Sequence, residues 1–107
     1  MSKIYNKLIR DRIPEIIAQS GHKAIVSTLT KKAFVKALKQ KLIEEVQELN
    51  EAKTKRELVN ELVDVQEVFD YLIKELHLSP SEFKKLQTKK RKERGGFEKQ
   101  LQLEKVE

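Results

Sequence analysis

A chain of 107 residues with 23 Lys and Arg against 17 Asp and Glu carries a formal charge of +6, and its length suits one domain, residues 1–107, rather than two. Leu, Ile, Val and Phe supply 33 residues, too many for a disordered chain even with 37% charged residues. The absence of cysteine excludes disulfides, thiolate metal sites and a cysteine nucleophile. No apolar run approaches the roughly 18 residues of a membrane span or forms a signal-peptide core, so the expectation is a soluble, cytoplasmic protein without a membrane partner.

Along the chain, Ile13, Ile16 and Ile17 recur at helical spacing behind Asp11 and stop at Ser20-Gly21. This pattern predicts a short helix over residues 11–20 with Asp11 as its cap and Pro14 in its first turn. Lys23 to Leu29 and Gln100 to Val106 alternate in part and read as edge-like strands, candidates for a small terminal β pair. Thr30 suits the cap of a long helix from Lys31 to Ala52, and Thr54 the cap of the next, from Lys55 to His77. Ser79-Pro80-Ser81-Glu82 combines a cap, a first-turn proline and a capping-box acid, predicting a further helix to Glu93 that Gly95-Gly96 ends. The fold expected is mainly α, a helical bundle with two long antiparallel helices, two shorter helices and a small terminal β pair.

Helical periodicity places several carboxylates beside an apolar seam. With about 100° per residue and Leu42 at zero, Val35, Leu38, Val46 and Leu49 mark the apolar centre of the second helix, while Glu45 falls near 300° and Glu48 near 240°. Only Glu51, near 180°, takes an ordinary outward position. Counted from Leu58, Glu61 and Asp64 occupy the same two angles on the third helix, beside Val68, Leu72 and Tyr71. The pairs Glu45/Glu48 and Glu61/Asp64 are also equidistant from the turn between the helices, about eight residues or roughly 12 Å away, so they should face each other. Carboxylates so placed repel and raise one another's pKa values unless something positive lies among them. Oxygen-only ligands with no Cys or nearby His suit a hard divalent ion, Mg²⁺ or Mn²⁺, of the kind that also gathers phosphate oxygens. The plainer reading is that the acids form flank ion pairs with Lys41, Lys53 or Lys55.

The positive charge is concentrated between residues 84 and 94, where Lys84, Lys85, Lys89, Lys90, Arg91, Lys92 and Arg94 face only Glu93. Such a patch suits a polyanion, whether the phosphates of a small molecule or a nucleic-acid backbone; it also suits a solvated helix end.

KLIEEVQELNEA followed by NELVDVQEVF resembles the ExxE and ExxD signature of the MazG-like all-α nucleotide pyrophosphohydrolases, relatives of phosphoribosyl-ATP pyrophosphohydrolase. YNKLIRDRIPEII at residues 5–17 and KKRKERGGFEKQLQLEKV at residues 89–106 resemble the end segments of a small house-cleaning branch of that group. The resemblance implies hydrolysis of a nucleoside triphosphate between the α and β phosphates, giving a monophosphate and pyrophosphate. It implies Glu45, Glu48, Glu61 and Asp64 as Mg²⁺ ligands, with Glu44, beside Glu45, orienting or deprotonating the attacking water. Lys7, Arg10, Lys89, Lys90, Lys92 and Arg94 would neutralise phosphates. Asn6 and Asp11 are candidates for sugar or base contacts, against a turn residue and a helix cap.

The third helix is apolar over an arc far wider than the roughly 100° stripe of a surface helix, which predicts the fourth helix on one side and a second protomer on another, in a homodimer or larger symmetric assembly; the family resemblance implies a homodimer or homotetramer. The rival to the enzyme is a non-catalytic nucleic-acid-binding or regulatory module using residues 84–94, with nucleic acid the less favoured partner. Neither a Walker loop nor a GxGxxG fingerprint is present.

Overall fold

The computed structural model describes Lys3 and residues 5–107. Four helices follow in order: α1 (Ile13–Gln19), α2 (Lys31–Glu51), α3 (Lys55–Glu75) and α4 (Pro80–Arg94). Their starts follow local chemistry. Thr30 Oγ1 accepts the Ala33 N-H at 3.2 Å, Thr54 Oγ1 the Glu57 N-H at 3.1 Å and Ser79 Oγ the Glu82 N-H at 3.1 Å. Each satisfies a backbone donor that a helix N-terminus otherwise leaves unpaired. Glu57 reaches back to accept the Lys53 N-H at 3.1 Å, which tightens the α2–α3 turn further.

The two 21-residue helices α2 and α3 form an antiparallel hairpin, the extended helix-on-helix contact among the described residues. At its open end Lys31, the first residue of α2, pairs with Glu75, the last of α3, at 3.2 Å. Among the described residues, Leu38 of α2, 2% exposed, and Val68 of α3, 8% exposed, are the buried apolar side chains. α4 touches α3 near its start, where the Phe83 ring meets Phe69 edge-on with centroids 5.1 Å apart. Residues 84–94 are all exposed, and so are residues 95–107.

The structure corrects several expectations. Residues 23–29 and 100–106 form no strand and do not pair; a strand's hydrogen bonds come from a neighbour, and partial alternation supplies none. Asp11 is not the cap of α1: Arg12 holds that position without a side-chain cap bond, and the Arg10 carbonyl accepts the Ile13 N-H at 3.1 Å. α3 ends at Glu75 rather than His77, because Leu76 leaves helical geometry and His77 takes a left-handed φ of 60°. α4 extends to Arg94, and Gly95, at φ 84°, ends it with a backbone conformation that side chains disfavour.

The chain is open in shape. Its radius of gyration is 18.3 Å, against about 13 Å for a compact domain of this length. Its accessible surface is 10447 Å², against roughly 6,200 Å² for a compact monomer of this mass. Much of the excess is apolar: Val59, Leu62 and Val63 on α3, Ile43 and Val46 on α2, and Phe97, Leu101 and Leu103 beyond α4 are exposed.

Candidate metal centre

Caps fix where α2 and α3 begin, and helical periodicity then decides which acids stand at the seam. One carboxylate oxygen from each of Glu45, Glu61 and Asp64 lies within 4.8 Å of the others, although Glu45 belongs to α2 and the other two to α3. The equal-height argument from the turn therefore places three of the four sequence candidates together. Glu48, one turn nearer the hairpin loop, is exposed. It lines an open cleft of about 200 Å³ with Glu51, Ala52, Glu57, Asn60 and Glu61.

The cluster is not satisfied by its own contacts. Glu45 is 7% exposed, and its Oε2, like Oε2 of Glu61, is buried with no hydrogen-bond partner. Burial pushes the Glu45 carboxyl up to about 7; the Glu48 charge and, more weakly, Asp64 push the same way, while Lys41 opposes them. Glu61 is also raised, first by burial and then by the charge of Glu48. An unpartnered buried carboxylate is costly, and its environment favours either a proton or a cation.

The donor set fits a hard divalent ion. It consists only of carboxylate oxygens, the hard ligands that Mg²⁺ and Mn²⁺ take. The three oxygens lie within 4.8 Å of one another, near enough to share one ion.

Cations surround this centre. Lys41 Nζ lies 3.4 Å from Glu45 and 3.5 Å from Glu44, so part of the plain ion-pair reading holds on α2 itself. Lys53 and Lys55, the other lysines of that reading, form no ion pair among the described residues. Lys7 Nζ reaches Glu44 at 3.5 Å. Arg10 spans two acids of α3, with Nη2 on Asp64 Oδ1 at 2.9 Å and Nη1 on Glu67 Oε2 at 3.3 Å. The segment before α1 thus lies across both long helices, bringing Lys7 and Arg10 to the acids. Sequence reasoning overlooked Glu67; its place three residues after Asp64, on neighbouring turns, was the available signal.

The remaining candidates stand elsewhere. Asn6 is exposed with a left-handed φ of 46°, and Asp11 is exposed in the turn before α1. Lys89, Lys90, Lys92 and Arg94 are exposed on α4 and make no ion pair among the described residues. Lys89 and Lys92 share one face of α4 with Ser81, Lys84, Lys85 and Thr88.

No protein-family model matches the chain, and no solved structure matches it. A protein of Mycolicibacterium smegmatis described as uncharacterized is 47% identical over 49 residues, 46% of this chain and 50% of that protein. The chain therefore matches about half the length of this relative, whose description carries no activity.

Proposed function

We propose that this protein is a Mg²⁺-dependent nucleotide pyrophosphohydrolase that cleaves the α-β phosphoanhydride of a nucleoside triphosphate. The observation that carries the reading is the convergence of Glu45, Glu61 and Asp64 from two helices, with two buried carboxylate oxygens lacking partners. The likeness of the acidic and terminal motifs to the MazG-like group supplies the substrate class. Mn²⁺ is the natural substitute ion.

Glu45, Glu61 and Asp64 hold the ion, with Glu48 joining from the edge of the cluster. The ion supplies Lewis-acid polarisation of the anhydride and gathers its oxygens. Glu44 is only half-buried beside Glu45 and accepts from Lys7. The role assigned to it is to orient, or take a proton from, an attacking water. Lys7 and Arg10 neutralise phosphate charge at the cluster. Lys89, Lys90, Lys92 and Arg94 exert a longer-range pull on the polyphosphate. Asn6 and Asp11 are assigned to sugar or base.

The proposal includes a homodimer or larger assembly. An excess of about 4,000 Å² over a compact monomer is comparable to the area that obligate interfaces bury. Exposed Val59, Leu62 and Val63 on α3 offer an apolar face for a second copy. Light scattering on the purified chain should report a mass at least twice 12.5 kDa; a monomer at micromolar concentration removes this part.

The deciding experiment incubates the protein with canonical and modified nucleoside triphosphates and Mg²⁺ and measures pyrophosphate. Turnover should fall at least about 100-fold in Glu45→Gln and Asp64→Asn, the scale on which lost transition-state charge stabilisation is felt. Turnover retained in both variants rejects the metal assignment.

The exposed cations of α4 favour a second reading, a nucleic-acid-binding module. Its signature is duplex or single-strand binding that weakens steeply with added salt as counterions are released, and a flat response removes it.

A further inference from the structure

We propose that Arg10 is a resident counter-cation of the acidic centre, one that a divalent ion must displace from Asp64 to bind. The inference rests on the metal reading above and adds a control element to it. Arg10 belongs to the irregular segment before α1, and its guanidinium bridges Asp64 at 2.9 Å and Glu67 at 3.3 Å. Asp64 also contributes an oxygen to the three-acid cluster with Glu45 and Glu61. A guanidinium hydrogen-bonded to Asp64 and a divalent ion held by the same carboxylate repel each other, so the two compete for its charge.

The contact is built to yield. The Arg10 side chain is 54% exposed, and exposed ion pairs are weak because solvent screens them. Glu67, 46% exposed, retains the guanidinium when Asp64 turns to the ion. Arg10 therefore stays within reach of the centre, free to meet an incoming phosphate. Its backbone is held meanwhile by the turn in which the Arg10 carbonyl accepts the Ile13 N-H. Lys7 on Glu44 ties the same segment to α2, so the segment stays on the hairpin when Asp64 is released.

The test is calorimetric titration of Mn²⁺ into the full-length wild type and three variants, with helicity checked by circular dichroism. Arg10→Gln should bind Mn²⁺ at least three-fold more tightly than wild type. Arg12→Gln removes the same charge nearby from a side chain that is 80% exposed and paired with Glu15, and it should match wild type. Glu45→Gln should lose the binding, which locates the ion at the cluster. Equal or weaker Mn²⁺ affinity in Arg10→Gln, or equal tightening in Arg12→Gln, overturns the counter-cation role and leaves the metal centre standing. Absence of Mn²⁺ binding in wild type and Arg10→Gln alike overturns both.

Discussion

Glu45 on α2 and Glu61 on α3 each bury Oε2 without a hydrogen-bond partner, at a point where the two helices carry no opposing charge deep enough to meet both. Lys41 reaches Glu45 only through its other oxygen, Oε1, at 3.4 Å. The arrangement stores electrostatic cost at one height of the hairpin, and the outcomes below follow from that cost and from the thin packing around it.

Stability should fall as pH rises from about 4.5 to 7. The Glu45 carboxyl is raised from 4.5 to about 7, chiefly by burial. Between those values the folded chain holds a proton that the unfolded chain has released, so raising the pH favours unfolding. Below 4.5 both states are protonated; above about 7 both are ionised, and the penalty is constant. Glu61, also raised by burial, acts in the same sense. Thermal denaturation of the wild type across pH 5 to 8 should show this decline, and Glu45→Gln should flatten it.

Millimolar Mg²⁺ or Mn²⁺ should raise the thermal midpoint, and more at pH 8 than at pH 5.5, because ligation needs the ionised carboxylates. At 100 times its dissociation constant a native-state ligand adds about 2.7 kcal/mol. Glu45→Gln should lose most of the increment. A midpoint that ignores the ion at pH 8 contradicts the metal assignment.

Phe83→Ala should release α4 while leaving the hairpin folded. The edge-on contact with Phe69 joins α4 to α3, and truncating a half-buried aromatic here should cost about 1 to 2 kcal/mol. Faster amide exchange over residues 80–94 with little change in α2 and α3 is the expected result.

Thr54→Ala should destabilise the hairpin by about 1 kcal/mol, since the hydroxyl accepts the Glu57 N-H at the start of α3. Thr54→Ser keeps the acceptor and should recover most of that loss. Urea denaturation of the pair measures both.

Helix positions and the meeting of the acids were legible in the amino-acid order, because both follow from local rules. Thr30, Thr54 and Ser79 set where helices begin, and constant rotation per residue then carries Glu45, Glu61 and Asp64 to one height of an antiparallel pair. The likeness of the terminal segments suggested Lys7 and Arg10 as phosphate ligands, but only the tertiary structure laid Arg10 on Asp64 and Glu67. It also decided that residues 23–29 and 100–106 stay apart and that α4 stands clear beyond Phe83. These features depend on contacts between segments far apart in the chain, and no periodicity within either segment records which partner it meets.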